Sequence, residues 1–416
     1  MTSIASKLAS TSKEKRKRAG FLERTFHRWI QKKLDSMGTG SVHLEAPSPP
    51  KPIDSLTRQD QHRIEIQHPA FYRRVLLGGS LGAAESYVRG EWQTDDLVGL
   101  MRLFVNQLKN NSRISGKLSF ASETLSRLSH WFRSNSQKGS QKNISAHYDL
   151  GNDFFRLMLD PSMTYSCGYF SGATEDLSEA QTEKYERLCK LLELSANDHL
   201  LEIGTGWGGM AIHAATRYGC RVTSTTISKE QYQYASARIA ELGLQNQVNV
   251  VLVDYRNLDG PFDKLVSIEM IEAVGHQYLP TYFQKCAELL KPKGLFALQA
   301  ISMPEAAYNQ YLRRADFIQK YIFPGSCCPS FTAMAKAFSL NSNFVHEQSE
   351  NIGLHYTKTL RLWRNRFESN LPEIRALGYS DEFIRLWHYY LCYCEAGFAE
   401  KYLANFQILL SKGLPS

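Results

Sequence analysis

Short apolar runs at 199–203, 220–225, 248–252, 263–268 and 294–300 have the length and β-branched content of buried strands. Helical periodicity fills the intervals at 208–217, 229–242 and 278–290. Strand–helix alternation predicts an α/β fold, a Rossmann-like, doubly wound and mostly parallel sheet covered by helices on both faces. An aromatic, helix-compatible insertion interrupts the alternation at 301–345, and helical patterns with Leu and Trp dominate 359–410. Upstream, 64–108 reads as a small, mostly helical module. The Gly-, Ser- and Pro-containing stretch 37–53 and the polar stretch 131–143 read as linkers. The expected parts are therefore a tail, amphipathic helix and linker over 1–53, a small helical domain over 54–130, a linker over 131–143, and an α/β domain over 144–416.

The first strand of the alternation ends Leu200-Leu201-Glu202-Ile203 and enters Gly204-Thr205-Gly206-Trp207-Gly208-Gly209. Glycines at this density let a buried strand turn tightly into a helix whose backbone approaches a ligand. NAD, FAD and S-adenosylmethionine (SAM) all use such a turn. A dinucleotide site wants an acid at the end of the second strand, but here that strand, Arg221 to Thr226, ends in threonines. The third strand ends Val253-Asp254-Tyr255-Arg256, an acid–aromatic pair placed to meet an adenine. Both details favour SAM.

Charge changes the picture at one end only. The chain of 416 residues carries a net charge of +8, and the ten Lys/Arg and two Glu of residues 1–33 account for all of it. Within that tail Leu22, Phe26, Trp29, Ile30 and Leu34 recur at helical spacing, with Arg24, Arg28, Lys32 and Lys33 between them. A basic amphipathic helix suits an anionic membrane surface or packs on the protein's own body, and both readings stay open. Nothing nearby resembles a nucleic-acid module, so no nucleic-acid partner is expected. No apolar run approaches the ~18 residues of a membrane span. No secretory pattern follows the basic start. The expected location is cytoplasmic, peripheral on the inner face of the membrane. The eight cysteines, at 167, 189, 220, 286, 327, 328, 392 and 394, are scattered without the spacing of a disulfide framework or zinc site, so reduced thiols and no metal are expected.

Five further segments occur in a set order: Ile144-Ser145-Ala146-His147-Tyr148-Asp149-Leu150-Gly151-Asn152-Asp153-Phe154-Phe155, Met163 to Phe170, Thr226-Ile227-Ser228-Lys229-Glu230-Gln231, Ile268-Glu269-Met270-Ile271-Glu272 and Tyr321-Ile322-Phe323-Pro324-Gly325. Together with the glycine turn they resemble the cyclopropane-fatty-acid synthase family, which includes the mycolic-acid cyclopropane synthases and their methyltransferase relatives. The resemblance extends to the small module, through Phe71 to Leu76 and Gly79 to Tyr87.

The resemblance implies transfer of a methyl from SAM to a cis double bond of a phospholipid acyl chain. The resulting carbocation loses a proton to a bound bicarbonate and closes a cyclopropane ring. In this sequence Gly204, Gly206 and Gly208 would hold the methionine portion. Thr226 and Gln231 would take the ribose, Asp254, Tyr255 and Arg256 the adenine, and Tyr165 and Ser166 would cover the reacting centre. Glu202, Thr205 and Ile268 would line the same cofactor site. Bicarbonate would lie among the Cys167 backbone, Glu272, Gln299, the Ile301 backbone and Tyr356. Tyr165, Tyr169, Phe170 and Phe323 are candidate faces for cationic charge. Cys394 matches a cysteine marked as active in the family, although alkene methylation needs no covalent enzyme intermediate. Homodimers through the N-terminal module are also implied.

Two positions depart from the family pattern. Phe-Glu-His reads Ile271-Glu272-Ala273, and a histidine expected to bind bicarbonate aligns with Gln299. Glutamine donates to an oxyanion but relays no proton at neutral pH. The substitution therefore bears on ring closure and leaves methyl transfer untouched. A methyl-branched or methylene fatty acid is the alternative product.

Overall fold

The computed structural model describes residues 21–36, 42–45, 62–110, 150–172 and 174–414. The basic stretch 1–20, the linkers 46–53 and 131–143, and the motif residues Ile144 to Asp149 lie outside them. The chain divides into two compact units. One comprises Met1–Ser126 with Phe367–Tyr402, the other Arg127–Arg366 with Leu403–Ser416.

The first unit holds a small sheet of strands β1 (Val42–Glu45), β2 (His62–Ile66) and β3 (Trp92–Gln93), in that order. Helix Ala70–Val88 breaks at Gly79, where the backbone turns to φ 57°. The break brings Gly82 against the first half-helix so closely that a Cβ there would lie 2.0 Å from the Arg74 carbonyl oxygen. Helix Asp381–Ala399 packs on helices Leu97–Asn110 and Ala70–Val88. That packing takes 367–402 into the first unit, where the sequence reading ran one α/β domain without a break from 144 to 416.

The basic amphipathic helix forms over Phe21–Ser36. Its residues Ile30 and Leu34 are buried, and Gln31 donates to the Val42 carbonyl and accepts from the Leu44 amide of β1. Ile30 and Leu34 of its apolar stripe are thus used in packing on its own unit. Trp29 stays 43% exposed, on a helix that also exposes Arg28 and Lys32.

The second unit is built on seven strands: β4 (His199–Ile203), β5 (Arg221–Thr226), β6 (Val248–Leu252), β7 (Phe262–Ile268), β8 (Leu290–Ser302), β9 (Phe344–Asn351) and β10 (Ala404–Lys412). Their order is β6-β5-β4-β7-β8-β10-β9. The first five are parallel, and β10 runs antiparallel to both neighbours. Five strands and the helices Gly209–Tyr218, Lys229–Glu241 and Leu279–Leu289 fall where the alternation predicts them. Side chains alternate between two cores: Phe296, Leu298 and Ala300 of β8 face one, with Leu265 and Phe283, while Ala297 faces the other, with Leu200, Met210 and Val266.

β10 departs from the helical pattern read over 359–410, and β9 lies between that pattern and the insertion read at 301–345. β9 is an edge strand exposed at nearly every position, so it lacks an apolar signature, and β10 alternates with period two over only nine residues. Chain order reverses between β4 and β7. In an open α/β sheet the crevice at such a switch point, beyond the carboxyl ends of the strands, is where ligands bind.

Candidate active site

At the end of β4 three glycines take positive φ: Gly204 at 102°, Gly206 at 53° and Gly208 at 89°. A Cβ on Gly204 would lie 3.2 Å from the Met270 side chain, and one on Gly208 3.3 Å from Ala235. These two close the turn against its neighbours. At Gly206 a Cβ would meet nothing within 4 Å, so the backbone there faces open space. Below the turn, buried Glu202 accepts from the Ser224 hydroxyl, which also lies 2.7 Å from the Thr205 hydroxyl. Burial pushes the Glu202 pKa up to about 8.

At the end of β5, Thr226 donates to Gln231 Oε1 at 2.9 Å, while Ser228 caps the helix that carries Gln231. Beyond β6, Arg256 grips Asp254 with two side-chain bonds of 2.8 and 2.6 Å. The Asp254 carboxylate is thereby committed to its neighbour. Half-buried Tyr255 stands edge-on to Tyr282, ring centres 5.4 Å apart.

Next to the turn lies an aromatic group. Trp207 donates to Asn152 at 2.7 Å and packs on Phe155, which packs on Tyr165. Tyr165 in turn meets Trp363 and Phe323, at centroid distances of 5.1 and 6.3 Å. Ser166 accepts from the buried ammonium of Lys184 at 2.8 Å, which also donates to Gln181. Burial lowers the Lys184 pKa to about 8.

The second feature is a pair of carboxyl groups after β7. Ile268 ends the strand opposite Gln299 of β8, and Glu269 follows with φ 49°, a left-handed conformation that costs a non-glycine residue energy. Four donors converge on Glu269. Its Oε1 accepts from the Cys167 amide at 3.0 Å, Gln299 Nε2 at 2.9 Å and Asn405 Nδ2 at 2.6 Å, and its Oε2 from the Tyr356 hydroxyl at 2.8 Å. Gln299 is held in that orientation by Gln407, its partner across β8 and β10, which donates to its Oε1 at 3.0 Å. Glu272 sits in the 3-10 turn Ile271–Ala273. Its Oε1 accepts from the Ile301 amide at 2.6 Å, while Oε2 is buried with no hydrogen-bond partner. Burial first, and then the nearby Glu269 charge, push the Glu272 pKa up to about 8. The site therefore holds one carboxyl ringed by donors and one kept protonated at neutral pH, two chemically different groups set apart by environment.

Residues 135–408 match the protein family described as mycolic acid cyclopropane synthetase. The chain belongs to this family. It is 36% identical over 401 residues to the tuberculostearic acid methyltransferase UfaA1 of Mycobacterium tuberculosis, covering 92% of this chain and 87% of that protein. It is 37% identical over 360 residues to the cyclopropane-fatty-acyl-phospholipid synthase of Escherichia coli K12, covering 84% and 88%. Among solved structures, the mycolic acid cyclopropane synthase CmaA1 complexed with SAH and CTAB superposes with a TM-score of 0.61 at 32% identity, over 65% of this chain and 98% of that one. The protein is a SAM-dependent methyltransferase of this lipid-modifying family.

Against the family pattern, the structure brings Cys167, Glu272, Gln299, Ile301 and Tyr356 together, with one correction. The Cys167 amide, Gln299 and Tyr356 point at Glu269, and the Ile301 amide at Glu272, so the donors expected to bind bicarbonate are already engaged by side-chain carboxyl groups. The residues present do not fit a bicarbonate ion. Sequence reasoning missed Glu269, Asn405 and Gln407. Glu269 was visible only as a motif letter, and the other two ride on β10.

Cys167 takes part through its amide, since burial raises its thiol pKa far above the ordinary range. Cys394 lies on helix Asp381–Ala399 of the first unit, whereas the other candidates all belong to the second. No disulfide joins any of the eight cysteines. Two aromatic candidates face cations of the protein itself: Tyr169 lies 3.9 Å under the Arg187 guanidinium, and Phe170 4.7 Å under the Lys358 ammonium. Tyr165 and Phe323 remain with the aromatic group beside the turn.

Proposed function

We propose that the protein transfers the methyl carbon of SAM to a cis double bond of an unsaturated phospholipid acyl chain, forming a cyclopropane fatty acid. The observation that carries this reading is the placement of the open glycine turn and the carboxyl pair at the ends of adjacent strands, β4 and β7, with aromatic rings alongside. Bound SAM supplies an electrophilic methyl on a sulfonium. The turn at Gly204, Gly206 and Gly208 receives its methionine portion, Thr226 with Gln231 its ribose, and Tyr255 its adenine. Methylation of an alkene leaves a carbocation. Tyr165, Phe323 and Trp363 offer π faces that stabilise such a cation without attacking it, and their apolar packing keeps out water that would trap it.

The substrate sits in a bilayer, and the protein meets it from the surface as a cytoplasmic, peripheral enzyme, acting as a homodimer. No helix among the described residues is long and apolar enough to cross a membrane. The ten basic residues of 1–33 and exposed Trp29 support attachment to an anionic surface. Added salt should weaken binding to anionic vesicles, and removal of residues 1–20 should weaken it further.

A second reading, a methyl-branched or methylene product, is favoured by Gln299 at the carboxyl pair and by the likeness to a tuberculostearic acid methyltransferase. Incubation with SAM and unsaturated phospholipid vesicles, then mass spectrometry of the acyl esters, tests the shared step. The ring and the exocyclic alkene have equal mass, so NMR decides between them, whereas a saturated methyl branch is heavier by two hydrogens and requires a separate reductant. Acyl chains left unmethylated would overturn both readings.

A further inference from the structure

We infer that Glu269 is the base of this reaction, a carboxylate built into the chain that takes the proton which an external anion would otherwise remove. The inference rests on the methyl transfer proposed above. Three observations carry it. Glu269 is held in a left-handed backbone conformation that a glutamate adopts only when its surroundings enforce it. All four groups bonded to its carboxyl are donors: a main-chain amide, two side-chain amides and a phenol, drawn from four separate segments of the unit. Such a shell matches a carboxylate, which only accepts. The third is the asymmetry of that shell. Among the described residues Oε1 takes three donors and is saturated, whereas Oε2 takes only the Tyr356 hydroxyl and keeps acceptor capacity. Oε2 is the oxygen that receives the proton.

The alkene π pair forms the new C–C bond to the methyl, the C–S pair stays on sulfur, and the second alkene carbon is left cationic. A C–H bond of the new methyl then breaks. Its proton goes to Glu269 Oε2 and its electron pair closes the ring, or forms the exocyclic double bond after a hydride shift. The proton leaves Glu269 to solvent when product departs. Neighbouring Glu272, protonated at neutral pH, adds no second negative charge to compete for that proton.

The test uses the full chain, SAM and unsaturated phosphatidylglycerol vesicles in buffer purged of carbon dioxide. Wild-type turnover should be unchanged on adding bicarbonate. Glu269→Gln should lower turnover by about a hundredfold or more, with SAM affinity by calorimetry within about threefold of wild type, an outcome that a merely structural residue would not give. Glu269→Gly should regain activity saturably with added bicarbonate or formate. In 13C NMR that variant, and not the wild type, should broaden the bicarbonate signal. Loss of wild-type turnover in purged buffer, or a Glu269→Gln enzyme within a few fold of wild type, overturns the inference and leaves the methyl transfer standing. If the variants fail to fold, the wild-type bicarbonate dependence decides alone. A wild type that methylates no acyl chain overturns the function itself.

Discussion

The glycine turn and the carboxyl pair sit at the ends of neighbouring strands, yet they are made of different material. The turn is backbone: three positive-φ glycines within five residues, continuous in sequence and needing only local conformation. The pair is side chain: Cys167, Glu269, Gln299, Tyr356 and Asn405 span well over half the chain and meet only once β7, β8 and β10 lie side by side. A site of the first kind tolerates almost no change within its own few residues. A site of the second kind fails through any of several distant positions, each by a fraction.

Substitutions in the turn sharpen this contrast most. Gly204→Val forces a branched side chain into a left-handed backbone 3.2 Å from Met270, and should destabilise the fold by about 2–4 kcal/mol in denaturant melts and abolish SAM binding. Gly206→Ala has room for its methyl. It should leave the melt within about 1–2 kcal/mol of wild type while weakening SAM in calorimetry by about tenfold, roughly 1.4 kcal/mol. Equal loss of stability in both variants would break the distinction between a glycine that packs and one that faces a ligand.

In the carboxyl pair, Tyr356→Phe removes the single donor on Glu269 Oε2. Turnover should fall about tenfold with little change in the KM for SAM, because the loss lies in the proton-transfer step. Glu272 gives a pH signature. Its folded pKa, about 8, stands above the ordinary carboxyl value of 4.5, so the native state holds a proton that the unfolded chain has released. Stability should therefore fall as pH rises from about 4.5 to about 8 and level off above. Buried Glu202, also raised to about 8, contributes with the same sign, whereas Lys184, lowered to about 8, adds stability only as pH rises from 8 towards 10.5. Glu272→Gln should reduce the first slope without removing it, since Glu202 remains. Cys394→Ala should have the smallest effect, with turnover within about twofold of wild type, because the chemistry needs no thiol nucleophile.

How much of this was legible in the sequence follows the same division. Parallel strands read as apolar runs, and the glycine turn is contiguous, so the fold class and the turn itself were visible residue by residue. Glu269 was printed in a motif but its meaning was not, since a glutamate at the end of a strand shows neither its φ nor its partners. Asn405 and Gln407 were hidden further. They alternate on an antiparallel strand of nine residues that follows a long helical stretch, and the helical period masked the change to two. The basic helix shows the opposite balance: its pattern was plain but left two uses open, and only the structure shows Ile30 and Leu34 packed within the first unit while Trp29 stays exposed.

If the methyl added to the acyl chain loses its proton to a carboxylate of the protein, turnover needs no external anion. The decisive measurement supplies SAM with a fully deuterated methyl group and unsaturated phospholipid vesicles in bicarbonate-free buffer, then reads the masses of the acyl esters. The acyl chains should carry one added carbon and two of its three deuterium atoms. Unlabelled chains, or chains that keep all three, would contradict that proton loss.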